Sequence, residues 1–307
     1  MLGWLGAAGL ACVPAGTAAA KTITVGPKHV LRVPSQAATV AMDGDRIQID
    51  PGTYADCAVW QASRLTIEAT GPGVLLLGQG CADFGIFVTR GNNITVRGIT
   101  FANAHSPYFN GAGIRAFGVN LTVENSRFLN NENGILMGGP PHSTLRVTGS
   151  VFSGNGSCEG LCAHGIYVGE PIGVLDVERC SFTDTQIGHH VKSRARNTVI
   201  VGNEITDGSD GTSSYLIEAP NGGNLLVQDN VLQKGRRSDN PAVAISIGVE
   251  GVTNPTEVLI VRDNRFVSDL PEPTVFVRNR SVLPAEIGGN RLDGKVVPLE
   301  GPGVVTP

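Results

Sequence analysis

Apolar residues in this chain recur in pairs five positions apart. The pairs are Val96/Phe101, Val123/Phe128, Val147/Phe152, Val177/Phe182, Val227/Leu232, Val261/Phe266 and Ile287/Leu292, with a poorer fit at Val201/Ile205. Between the members sit Asn125, Gly149, Asn203, Asn230, Asn264 and Asn290. Asn and Gly tolerate the left-handed backbone that a tight bend needs. The first members of successive pairs stand 24 to 34 residues apart. Each interval also carries a second strand-like run, such as Gly134–Met137, Gly165–Val168, Tyr215–Glu218 and Val243–Ile247. A near-constant period with lengthened members predicts a solenoid of stacked coils, since one such coil cannot bury its own apolar stripe. A leucine-rich consensus is absent, and the period is too short for the four strands of a propeller blade.

The ends read differently. Residues 1–20 resemble a removed signal peptide, apolar from Leu2 to Val13 with Ala18-Ala19-Ala20 before Lys21. Residues 21–60 predict an N-terminal cap with strands at Thr22–Val25, Val30–Val33 and Asp45–Ile49 and a short helix over Ser35–Met42. The solenoid is expected over 61–295 and a C-terminal tail over 296–307. No later stretch reaches the roughly twenty apolar residues of a membrane span. Charge then narrows the field: 23 Lys and Arg against 27 Asp and Glu leave a net charge of -4, which argues against general nucleic-acid binding. Abundant glycine, 41 residues, and few helix-type runs agree with an all-β chain. A secreted or periplasmic, monomeric protein is expected. In an oxidising compartment Cys57–Cys81 and Cys158–Cys162 are the expected disulfides, with Cys180 a buried thiol. Metal binding at Cys158 and Cys162 is the weaker alternative, because no second Cys or His pair stands at zinc spacing.

From Asp45 to Leu292 the chain resembles the right-handed parallel β-helix proteins of the pectate-lyase-like superfamily, on rungs such as Val123-Glu124-Asn125-Ser126-Arg127-Phe128. The resemblance implies an all-β, single-stranded right-handed β-helix and a carbohydrate-linked activity, without choosing among lyases, hydrolases, epimerases and plain binding proteins. The N-T-D, D-D and G-H-G series of polygalacturonase-like hydrolases is represented only by Gly188-His189-His190 and Ile205-Thr206-Asp207-Gly208, and the D-P-H-D motif of mannuronan epimerases is missing.

Candidate chemistry gathers in Gly188–Arg196, the most cationic run of the chain. Strand alternation places His190, Lys192 and Arg194 outside and His189 inside with Val191 and Ser193. Aligning Val168 with Val191 and Arg194 with Glu218 brings Tyr167, His190, Lys192, Arg194 and Glu218 into one patch. It also predicts Leu216 outside and Tyr215 inside. Lys192 or His190 is the expected base, its pKa lowered by cationic neighbours, with Tyr167 returning a proton and Glu218 in the catalytic set. Arg194 or Arg196 would neutralise a uronate carboxylate. His189, His164, Tyr215 and Asn221 are further substrate-binding candidates, and the Cys158–Cys162 and Gly235–Asp239 segments are candidate groove walls. The expected partner is an anionic polysaccharide undergoing β-elimination or C5 epimerisation. A noncatalytic glycan-binding protein and a glycoside hydrolase using Glu218 stay open. Ca²⁺ is a candidate cofactor through Asp207, Asp210 and Asp229, although turn aspartates usually cap bends.

Overall fold

The computed structural model describes residues 20–307 except Gln79, Asp83 and Leu161; the expected signal segment falls almost wholly outside the described residues. The chain winds into a parallel β-solenoid whose coils contribute strands to three sheets of twelve, ten and ten strands. In one representative coil Leu121–Glu124 belongs to sheet A, Arg127–Leu129 to sheet B and Asn133–Met137 to sheet C. Each strand pairs in parallel with its counterparts in the coils before and after.

The five-residue pairs are the inward residues of sheets A and B. Val96, Val123, Val147, Val177, Ile200, Val227, Val261 and Ile287 stack in register in sheet A and are at most 2% exposed. The poorly fitting rung is thereby explained. Its inward member is Ile200, five before Ile205, and Val201 faces out. In sheet B, Phe101, Phe128, Phe152 and Phe182 stack nearly parallel with ring centroids 4.5–5.3 Å apart. Such pairs add about 0.5–1.5 kcal/mol each beyond area burial.

The A-to-B bend needs a left-handed residue in each coil, supplied by Asn125, Gly149, Gly202, Asp229 and Gly289, among others. The next residue points inside and must satisfy its polar atoms there. Asn203, Asn230, Asn264 and Asn290 do so as a ladder: the amide oxygens of Asn230, Asn264 and Asn290 each accept the amide N–H of the Asn below, that of Asn203 accepts the backbone N–H of Cys180, and each amide nitrogen donates to a backbone carbonyl. Cys180 occupies the same column as a free, buried thiol, its pKa pushed up to about 11 by burial.

Sheet C breaks the alternation expected of it. At its entry two consecutive residues face inward: Gly113-Ile114, Gly134-Ile135, Gly165-Ile166, His190-Val191, Leu216-Ile217 and Ala244-Ile245. Opposite the Phe column only glycine fits, since a Cβ on Gly113 or Gly134 would come within 2.8 Å of Phe128 or 2.7 Å of Phe152. Where Phe gives way to Ile205 and Leu232, the position enlarges to His190 and Leu216.

At the ends, Pro34–Val40 forms the helix, burying Pro34 and Ala37. The expected strand Val30–Val33 is reduced to one bridge, between Val25 and Leu31. The expected tail is instead part of the solenoid. Val296–Glu300 and Gly303–Thr306 add strands to sheets C and A, because Val297 and Val305 continue the pairing of Val275 and Ile287. Cys57–Cys81 and Cys158–Cys162 are disulfide-bonded.

Candidate active site

The outer face of sheet C carries the cluster. Register aligns Arg115, Leu136, Tyr167, Lys192, Glu218, Ser246 and Arg278 in one column, each a coil above the last. The true offsets are 25 from Tyr167 to Lys192 and 26 from Lys192 to Glu218. Both expected alignments were two residues short, because the ladder pairs the inward residues Ile166, Val191 and Ile217 and not Val168 with Val191 or Arg194 with Glu218. A slip of two preserves faces. Tyr167, Lys192, Arg194 and Glu218 therefore share the outer surface as expected, but Tyr167 pairs with Lys192 and not with His190.

The inward pair at the corner overturns four orientations. His190 is inside and fully buried, with Nδ1 2.8 Å from Thr185 Oγ1 and Nε2 3.0 Å from Asp207 Oδ1. Its neighbour His189, expected inside, lies under the outer cluster. One coil on, Leu216 is in the core and Tyr215 is half-buried against the His189 ring.

His189 Nδ1 accepts the backbone N–H of Tyr215 at 3.2 Å, and His164 Nδ1 accepts that of His189 at 3.0 Å. A neutral ring accepting at Nδ1 carries its proton on Nε2. That proton faces Glu218 Oε2, with the two heavy atoms 3.1 Å apart. Burial depresses the pKa of both rings, only partly offset at His189 by Glu218. The His164 ring stacks on His189 at 4.6 Å and meets Tyr167 edge-on at 5.2 Å.

Lys192 Nζ lies 2.8 Å from Glu218 Oε2 and 3.0 Å from Glu250 Oε1. Burial alone would depress its pKa, but the two carboxylates outweigh burial and raise it. The expected lowering by cationic neighbours is thus reversed, because its nearest charges are acids. Glu218, 3% exposed, is penalised by burial yet held below the usual carboxylate range by His189 and Lys192. Arg194 donates from Nε to Tyr167 Oη at 3.1 Å, from a terminal nitrogen to Asn221 Oδ1, and pairs with Glu250 Oε2 at 2.7 Å.

Glu250 went unnoticed in the sequence. It sits on residues 248–258, the extra length of the 34-residue interval. This loop folds back over earlier coils: Glu250 N–H donates to Pro220 O, Thr253 and Asn254 N–H to Asn221 O, and Asn254 Nδ2 to Arg194 O. Asn221 is 6% exposed and engaged by Arg194 and this loop, so it positions Arg194. Arg196 is exposed, with no hydrogen bond or ion pair to the cluster among the described residues. Of the two expected walls, the disulfide-pinned 158–162 segment precedes His164, whereas Gly235–Asp239 sits at the B-to-C corner, where Ser238 braces Ser213 and Arg237 pairs with Asp210.

The three candidate Ca²⁺ ligands do not converge. Asp207 is buried, accepting from His190, Ser213 and the Gly235 N–H; Asp210 is on an exposed corner; Asp229 is a bend residue. No group of three metal-ligating side chains is gathered among the described residues.

Residues 35–170 match the family described as right handed beta helix region. The chain is a right-handed parallel β-helix. Among solved β-helices it is similar to pectate lyase Pel9A, at 13% identity and a TM-score of 0.55 over 93% of this chain and 80% of that one. It is similar also to an alginate lyase from Paenibacillus sp. str. FPU-7, at 15% identity and a TM-score of 0.56 over 92% and 99%. ORF18 of Geobacillus virus E2 matches at 13% identity and a TM-score of 0.50 over 88% and 56%. No curated protein matches this β-helix in sequence. No helix among the described residues is long and apolar enough to cross a membrane, and the two disulfides are compatible with an oxidising compartment.

Proposed function

We propose that this β-helix is a secreted enzyme that cleaves an anionic polysaccharide by β-elimination on the outer face of sheet C. One observation carries the reading: Lys192 and Arg194 jointly hold a carboxylate, that of Glu250, beside the hydroxyl of Tyr167. A uronate carboxylate has the same charge and shape. On entry it would take the place of Glu250 and leave the acidic C5 hydrogen next to Lys192. Arg194 would stabilise the charge that grows on the carboxylate. Neutral Lys192 takes the C5 proton, the C4–O4 bond breaks as the C4–C5 double bond forms, and Tyr167 gives its proton to the departing oxygen. Tyr167 suits this role because its oxygen already accepts from Arg194 Nε, so its own hydrogen points elsewhere. Proton return to C5 from the opposite face would make the reaction an epimerisation.

Two of the similar structures are lyases, of pectate and of alginate, which supports this chemistry. Hydrolysis by Glu218 is disfavoured, since a general acid needs a raised pKa and Glu218 is held low. One observation favours a noncatalytic binding role: Glu218 and Glu250 keep Lys192 protonated in the free protein. A panel of acidic glycans, followed by ultraviolet absorbance of unsaturated ends, separates the readings. New absorbance supports elimination, reducing ends without absorbance point to hydrolysis, and binding without either leaves recognition alone.

A further inference from the structure

We propose a second anion-binding subsite on sheet C, formed by Arg115, Arg90 and Phe117, which takes another acidic sugar of the chain held at Lys192 and Arg194. Arg115 lies in the Tyr167–Lys192 column, three strands below Lys192, or about 14 Å at ~4.8 Å per strand. Its guanidinium and that of Arg90 both sit over the Phe117 ring, 4.8 and 5.3 Å from its centroid. Two like charges on one ring repel unless an anion joins them.

Among the described residues neither arginine has a carboxylate partner. That sets them apart from Arg97, Arg146, Arg194 and Arg278, each of which meets an acid within 2.9 Å. Arg115 Nε is buried without an acceptor, and burial lowers the pKa of the group.

Between the two cationic ends the column itself is filled by Leu136, which is 6% exposed, and by Tyr167, but the row beside it carries no side chain. In the row containing Phe117 and Arg194, the intervening coils place Gly138 and Gly169, fixed by equivalent ladder bonds from Gly138 N–H to Ala116 O, Gly169 N–H to Met137 O and Arg194 N–H to Val168 O. A Cβ on Gly138 would meet nothing within 4 Å, and one on Gly169 only the Met137 carbonyl at 3.5 Å. Any larger residue would fill this trough. A chain of sugar rings can lie along it, with one carboxylate at each cationic end.

The subsite rests on the proposed substrate class, and calorimetry with disaccharides and hexasaccharides of galacturonate and of alginate tests it apart from catalysis. The unaltered protein is expected to bind a hexasaccharide more tightly than its disaccharide. Arg115→Gln should weaken hexasaccharide binding about tenfold, as loss of a charge-assisted bidentate contact does, and leave disaccharide binding unchanged. Arg90→Gln, an exposed change that should not affect folding, should give a smaller loss in the same direction. Unchanged hexasaccharide affinity in both variants, or equal losses for both lengths, would overturn the subsite while the elimination reading stands. Length-dependent binding without turnover would uphold the subsite and sink elimination. No binding of any acidic oligosaccharide would remove both.

Discussion

His189 and His190 are adjacent in the chain and belong to different chemical worlds. His190 joins Thr185, Asp207, Ser213 and Lys234 in a cluster sealed inside the solenoid. His189 joins Glu218, Lys192, Glu250 and Arg194 on the outer face of sheet C. Each cluster has an imidazole on a carboxylate and a nearby amine. Inside, every group has a fixed partner and no path to a ligand. Lys234 is fully buried, donates to the carbonyls of Ser213 and Ser214, and has its pKa lowered to about 8 by burial against the pull of Asp207. Outside, Glu250 is 40% exposed and comes from a loop, so its carboxylate can be exchanged for another. The same residue types therefore pin a corner in one place and present a replaceable anion in the other. What separates them is access, not composition.

Substitutions sharpen this contrast. The largest stability loss is expected for Asp207→Ala, which strands the His190 and Lys234 side chains in the core. Breaking a buried charged network costs about 3–5 kcal/mol. A fall in chemical-denaturation free energy of that size, with activity retained by the folded fraction, supports the division of labour, whereas an unchanged melt would erase it. Next is Glu250→Gln. Lys192 must be neutral to act as base, and the carboxylates raise its pKa, so turnover is expected to increase as pH rises through the Lys192 titration. Losing one carboxylate should move that rise toward lower pH. A pH–rate profile that stays put would break the link between Glu250 and Lys192.

Lys234→Met probes the inner cluster by linkage. In the folded chain Lys234 gives up its proton near pH 8, but in the unfolded chain only at its ordinary higher value. The unfolded state thus binds more protons between these limits, and this group's penalty on folding fades as pH rises from about 8 toward 10. Thermal melts across that range should rise relative to Lys234→Met, and parallel curves would contradict the assignment. The smallest effect is expected for Arg237→Ala, which removes an exposed pair with Asp210 and should change stability by less than about 0.5 kcal/mol and leave turnover intact. A large activity loss would restore the Gly235–Asp239 segment as a groove wall.

The coil architecture was legible because its determinants are local. Valine and phenylalanine five apart, with a left-handed Asn or Gly between them, write one A–B bend per coil. The outer residues Tyr167, Lys192, Arg194 and Glu218 were legible for the same reason, since strand alternation governs sheet C once Val191 is reached. The swap of His189 and His190 was not, because it depends on how much room the facing column leaves, Phe152 and Phe182 earlier against Ile205 later. Glu250 left a single trace, the 34-residue interval, and nothing local says that residues 248–258 turn back over Arg194. The sign of the Lys192 shift followed from that omission and from pairing Glu218 with Arg194 when its ladder partner is Lys192.

The most direct test compares Lys192→Ala with His190→Ala, measuring turnover of an acidic polysaccharide and the thermal melt on the same samples. The expected result is a folded Lys192→Ala with turnover reduced by about 10²–10⁴-fold, and a His190→Ala that melts earlier, having lost about 1–3 kcal/mol with Asp207 and Thr185 left unsatisfied, yet still turns over substrate. Full activity in Lys192→Ala, or an inactive His190→Ala with an unchanged melt, would contradict the assignment of chemistry to the outer cluster.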